Sequence, residues 1–389
     1  MASPVITAVN PKVLRWARER AGYTAGDVAL AVKKDVEVVE SWESGASAPT
    51  YGQLEKLAYQ LYKRPLALFF FPAPPDERDP AQEFRTLPDF EIERLSSDTR
   101  FALRQAEAMQ LALKELNDGV NPSHQKIFRD IQAKPETAPG PLAKSLRDYL
   151  GVTLDTQRSW RNADEALDDW RALVEDKGVF VFKRSFKQKD VSGFCLVDKE
   201  FPIIYLNNST APSRQSFTLF HELAHILLET SGVTKQNDRY IDSLTGFAKG
   251  VEIFANRFAA ELLVPSEDFE QQLSPGPYDD QYVRQLADRY RVSREVVLRK
   301  LLDRHLVERA YYEAKAEEWA KQYQDRPGKS AGGNYYATQA TYLGDKYLQL
   351  TFGKYYQGRY GIEQLADYLN VKVKSIPGLE QFVLKRATA

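Results

Sequence analysis

Apolar residues recur every three or four positions through most of this chain and run together only in a few short stretches. From Asn10 to Pro72 the pattern predicts five short helices. Asn10-Pro11 opens the first, with Pro at the first helical position, and Gly22 closes it. Thr24 caps a second helix that carries Val28, Ala29 and Ala31. A third runs from Asp35 to Ser44 and stops at Gly45, and a fourth starts near Tyr51 with Leu54, Leu57, Ala58 and Leu61. FPAPPDERDP at 71–80 reads as a proline-rich linker. A long charged amphipathic helix follows over 91–118, with Phe101, Leu103, Ala106, Leu111 and Leu116 on its apolar side. Residues 119–140 read as loop with one short helix, and further helices are predicted at 141–150 and 163–177.

The periodicity then changes. Val179–Phe182, Gly193–Val197 and Pro202–Leu206 are short apolar β-type runs between polar turns, as expected for a small antiparallel sheet. The third leads through NNSTAPSRQSFT into TLFHELAHILLET, a helix apolar nearly all round and therefore buried. A polar loop over 230–250 borders the next helix, GVEIFANRFAAELLVP, which stops before Pro265. Residues 280–306 form a helix–turn–helix unit, and 362–383 look alike. QLAD recurs at 285–288 and 364–367, too short a match for a repeat array. RPGKSAGGN at 326–334 marks a boundary before a last helical module.

Inside the buried helix stand His221, Glu222 and His225. Histidines four apart project from one helical face and can take two corners of a zinc tetrahedron, while the adjacent glutamate can take a proton from the attacking water. Polar groups in so apolar a helix need a partner, because burial without one costs on the order of 2–7 kcal/mol for a neutral group. Catalytic zinc usually keeps three protein ligands. Glu252, on the helix after the polar loop, is the best third, and Asn256 one turn later can orient a ligand histidine. Ala255 and Ala259 let another helix approach closely. In the loop, Tyr240 and Arg239 are candidates for oxyanion or substrate contacts, against an ordinary loop surface. Cys195 alternates within a strand and reads as core, and His124 and His305 read as surface or structural residues.

HELAHILL together with EIFANRFAAELLVP resembles the ImmA/IrrE-type metallopeptidases, a gluzincin-like family. The likeness covers roughly 170–275 and implies His221, His225 and Glu252 as ligands of one zinc ion. It further implies Glu222 as catalytic base, and a regulatory endopeptidase that cleaves a repressor or antitoxin-like protein. The front end, with WESGASAPT after its third helix, resembles the helix-turn-helix of phage-repressor (Xre-type) regulators. That fold buries Leu14, Val28, Ala29, Val39, Trp42, Leu54 and Leu57. Lys33, Lys34, Asp35, Glu37 and Ser41 would be its contacts to DNA or a partner. The third helix is acidic, however, and residues 10–72 hold nine Lys/Arg against seven Asp/Glu. A DNA reader presents a distinctly basic face. DNA binding and a module for dimerisation or partner binding therefore both stay open. Self-cleavage is a further option, since the chain carries its own repressor-like domain.

The chain thus reads as α+β and predominantly helical. A five-helix helix-turn-helix domain (1–74) is followed by a helical linker region (75–160), a zincin-like peptidase core (161–275), a helical extension (276–325) and a small helical module (326–389). With 43% hydrophobic residues it can build sizeable cores, and a net charge of −1 excludes a global field for nucleic acid or anionic membrane. A single cysteine rules out an intrachain disulfide and fits a reducing cytosol. The N-terminus lacks a basic and an apolar signal region, and the longest apolar run, LALFFFP, is too short to span a bilayer. The expectation is a cytoplasmic protein. A second reading is a transcription regulator or toxin–antitoxin component that uses the peptidase fold as sensor or scaffold, with little or no proteolysis.

Overall fold

Local capping chemistry sets the first helices of the computed structural model, which describes residues 6, 8–77, 92–188, 190–235, 238–324 and 333–387. Asn10 accepts from the Lys12 N–H at the head of α1 (Pro11–Arg20). Thr24 and Asp27 form a capping box on α2 (Ala25–Val32), which ends with Lys33 in the left-handed region. Gly45 at φ 81° ends α3 (Val36–Ser44). A second capping box, Thr50 with Gln53, starts α4 (Tyr51–Glu55), which runs on as a π-helical turn over Lys56–Leu61. A 3-10 helix at Leu66–Phe70 completes the set. Val13, Leu14, Val28, Val39, Trp42, Leu54, Leu57 and Phe69 fill the core between them. Glu43 is buried there, bound by Arg18 through Nε at 2.6 Å and Nη2 at 2.9 Å.

These residues belong to one of two compact units, which holds the described residues up to 77, 92–107 and 186–188. The second begins at 108, within α5 (Ser97–Leu116), and takes in 108–185 and the described residues from 190 on. Its strands and longer helices run in the order α6 (Pro139–Leu150), α7 (Ala163–Asp176), β1 (Phe180–Arg184), β2 (Val191–Leu196), β3 (Ile203–Asn207), α8 (Pro212–Leu227), β4 (Val233–Lys235) and α9 (Gly246–Leu263). Then come α10 (Asp280–Tyr290), α11 (Arg294–Asp303), α12 (Arg309–Gln324), α13 (Tyr335–Leu343), α14 (Asp345–Tyr356), α15 (Ile362–Leu369) and α16 (Ile376–Ala387).

The sheet is mixed, not antiparallel as its sequence suggests. Its order is β1-β3-β2-β4, with β1 parallel to β3 and β2 antiparallel to both β3 and β4. β3 inserts between the first two strands, so β1 gains a neighbour that runs its own way. Every residue of β2 and β3 is buried, so no inward–outward alternation signals strand direction. β4 lies within what reads as a polar loop, and only three residues long it offers little periodicity to see.

α8 packs against β2, α7 and α9, and α6 covers α9. Trp170 meets Phe220 edge to face at 4.9 Å, and Trp160 meets Trp170 at the same separation. The C-terminal carbonyls of α9 are claimed by a buried pair. Arg147 donates to Leu262 O at 2.8 Å and to Gln157 Oε1 at 2.7 Å, and Gln157 donates to Leu263 O at 2.8 Å. Helix-end carbonyls left bare in a core would be costly, so this pair anchors α9 in place. The C-terminal helices close on β1, where Tyr347 meets Phe182 edge to face at 5.2 Å and Arg171 donates to Thr341 O at 2.9 Å. Most of the 326–334 boundary lies outside the described residues. Among the described residues no helix is long and apolar enough to cross a membrane.

Candidate metal centre

Pro212 starts α8 at its first position, and its inward turns are Leu219, Phe220, Leu223 and Ala224, all fully buried. That burial carries His221, Glu222 and His225 into the core with them, at 0–1% exposure. Facing them, α9 buries Ala255 and Ala259 completely, and such small residues let two helices approach. Glu252, fully buried, comes from this helix.

The three side chains meet. His221 Nε2 and His225 Nε2 are 3.2 Å apart. Glu252 Oε2 is 3.4 Å from the first and Oε1 is 3.5 Å from the second. Zinc bonds of about 2.0–2.1 Å at tetrahedral angles place ligand atoms roughly 3.3–3.4 Å apart. The spacing therefore fits a single small cation, and Glu252 Oε1 is buried with no hydrogen-bond partner. Burial alone would push the Glu252 carboxyl up. When the two imidazoles are protonated, their positive charge outweighs it and holds the carboxyl well below the usual range, which is the part a bound cation would play for the neutral rings.

The far sides of the ligands are engaged. His221 Nδ1 lies 2.9 Å from Asn256 Oδ1, and His225 Nδ1 lies 3.3 Å from Thr230 Oγ1. Protons on both Nδ1 atoms leave both Nε2 lone pairs turned to the cluster. Tyr240 is buried, and its hydroxyl donates to Glu252 Oε2 at 2.7 Å, so the structure seats it on the carboxylate. Gly232 lies against the His225 ring so closely that a Cβ there would sit 2.7 Å from ring carbons.

Glu222 meets the sheet at β4. Its Oε1 accepts from the Thr234 N–H at 3.1 Å and from the Thr234 hydroxyl. Burial pushes its carboxyl up to about 7, with His221 and Thr234 pulling the other way. Cys195 is buried, and burial first, then the neighbouring Glu222, push its thiol well above the ordinary range, which disqualifies it as a nucleophile.

Residues 174–302 match the family model for the IrrE N-terminal-like domain, Peptidase_M78. The matched stretch contains the entire His–His–Glu cluster and supports a metallopeptidase domain of the ImmA/IrrE type. No curated protein matches the chain.

The remaining candidates divide by place. The Arg239 side chain lies outside the described residues. Lys33, Lys34, Asp35 and Glu37 are exposed in the other unit, while Ser41 is partly buried and donates to Val38 O at 2.7 Å. Thr230, Gly232 and Thr234 carry no signature in the sequence. The one hint is the β-branched pair Val233-Thr234, a few residues past the end of the helix at Leu227.

Proposed function

We propose that the chain is a zinc-dependent regulatory endopeptidase fused to a helix-turn-helix domain, acting in the cytoplasm on a repressor or antitoxin-like protein or on itself. One observation carries this reading: a buried His–His–Glu cluster with tetrahedral-edge spacing, inside the stretch that matches a peptidase family. His221 Nε2, His225 Nε2 and a Glu252 oxygen would hold the ion. Zinc bound there would polarise the scissile carbonyl and bring the pKa of a water toward neutrality.

The chain's own groups do the rest. Asn256 and Thr230 keep the two imidazoles in register, and Tyr240 steadies the Glu252 carboxylate. Glu222 takes the proton of the attacking water and hands it to the leaving amine. A carboxyl held near 7 by burial suits both halves of that transfer, and a nearby cation lowers it toward the base form. β4 ends the sheet and touches Glu222 through Thr234; its three residues are buried, so movement that uncovers this edge would let an extended substrate add as a strand beside the base. Glu222→Gln should keep zinc while slowing hydrolysis by about 10²–10⁴-fold. Equal rates for variant and parent would remove Glu222 as the base.

A second reading, a regulator or toxin–antitoxin component with conditional proteolysis, draws on two observations. His221, Glu222, His225 and Glu252 are all at most 1% exposed, so cleavage waits on movement around the site. In the other unit, α3 exposes Glu37 and Glu40, with Asp35 at its head, groups that repel phosphate and suit a protein partner. A gel-shift titration at physiological salt tests the DNA-binding form of this second reading. Tight sequence-selective binding favours the operator-binding regulator, and none at micromolar protein eliminates it.

A further inference from the structure

The sheet is irregular at the point where Glu222 meets it. β2 and β4 slip register between Val191 and Gly193, opposite Lys235 and Thr234. Bulges of this kind redirect backbone and side-chain groups, and they gather beside functional sites. Here the redirected group is Thr234. Its N–H donates to Glu222 Oε1 at 3.1 Å, and its hydroxyl donates to the same oxygen. The other oxygen, Oε2, is buried and takes no hydrogen bond. Close packing fixes the arrangement, because a Cβ at Gly193 would lie 2.6 Å from Thr218 Cγ2 and 2.8 Å from Tyr205 O. Thr218 precedes Glu222 by four residues, so both face β2 from the same side of α8.

A carboxylate that only needed burial would be satisfied at both oxygens. This one is held twice at one oxygen while the other takes no hydrogen bond, and the neighbouring Cys195 thiol, a weak donor, is directed to the Thr230 carbonyl. A general base needs that asymmetry, with one oxygen anchored and its twin ready to accept a proton. We propose that Thr234 is a positioning residue, which sets the Glu222 carboxylate so that Oε2 is the oxygen that works. The proposal rests on the reading of Glu222 as the base.

Two variants of the full chain test it. Thr234→Val keeps the backbone N–H and the shape but removes the hydroxyl, and Thr234→Ser keeps the hydroxyl. Crystal structures of the zinc-loaded variants report where the carboxylate sits, and hydrolysis of labelled casein reports the rate. In Thr234→Val the carboxylate should leave its parental place by about 1 Å, and a shift of that size costs up to about 100-fold in rate. The expected loss is about 10- to 100-fold in kcat, with KM and zinc content unchanged. Thr234→Ser should recover most of that kcat and return the carboxylate. A carboxylate that keeps its place in Thr234→Val overturns the proposal, even if casein proves a poor substrate for the parent. A Thr234→Ser variant no better than Thr234→Val overturns it as well. A carboxylate that moves while Glu222→Gln hydrolyses casein at the parental rate places the failure in the base reading, and the proposal falls with it.

Discussion

Each unit of the chain buries a glutamate on a helix, and the two are treated differently. In the first unit, Glu43 on α3 faces Arg18, whose guanidinium binds both carboxylate oxygens at 2.6 and 2.9 Å. In the second, Glu252 on α9 faces two imidazoles at 3.4 and 3.5 Å and keeps one oxygen without a hydrogen-bond partner. A guanidinium carries five N–H donors in a fixed fork and completes a carboxylate without help. Two histidines turning Nε2 lone pairs inward do not, since lone pairs and carboxylate oxygens are all electron-rich. The first arrangement holds helices together. The second is complete only with a cation between its members, and that is how a buried acid built for structure can be told from one built to bind.

Breaking the structural pair should give the largest effect. Glu43→Ala leaves a mostly buried Arg18 with only the exposed Glu19 at 3.4 Å and the Tyr23 carbonyl as partners, and should cost about 3 kcal/mol in the first unit. Urea denaturation measures it, and zinc content should not change. A loss of zinc, or a stability change below about 1 kcal/mol, would erase the contrast between the two acids.

Loosening the binding acid's surroundings comes next. Asn256→Ala removes the acceptor on His221 Nδ1, and outer partners of this kind are worth about 10- to 100-fold in metal affinity. A zinc-competition titration against a chelator should show that drop, and unchanged affinity would reduce Asn256 to a bystander.

The smallest effect tests burial itself. Lys183 is 4% exposed on β1 with Asp168 3.7 Å away, and burial pushes its pKa from 10.5 down to about 8. The unfolded chain therefore holds more protons between about pH 8 and 10.5, and this lysine's contribution to stability rises with pH across that window. Below it the penalty is fully present, on the order of 1–3 kcal/mol. Lys183→Met should stabilise the chain by about that amount at pH 7 and by almost nothing at pH 11. A difference between variant and parent that does not shrink with rising pH would contradict the assignment.

Spacing along the chain revealed the cluster but not its setting. His221 and His225 share a helical face by their separation alone, and Glu252 stands in a run whose apolar period ends cleanly at Pro265. Asn256 could be named because one helical turn is a local relation. Thr230, Gly232, Thr234 and the seating of Tyr240 on Glu252 could not. They lie in a polar stretch whose partners sit on α8 and α9, so their meaning arises only when that stretch folds back on the two helices. Strand direction was hidden for a related reason, since strands buried on both faces carry no alternation to read. Caps, by contrast, are local chemistry, and Thr24 and Gly45 mark helix ends in sequence and structure alike.

Metal content tests the central claim most directly. The full chain, His221→Ala and Glu252→Ala would each be equilibrated with zinc, freed of excess and measured by mass spectrometry, with circular dichroism confirming that each is folded. A three-ligand site should retain about one zinc per parent chain, and either variant less than about a tenth of that. Parental zinc in folded Glu252→Ala would contradict this claim.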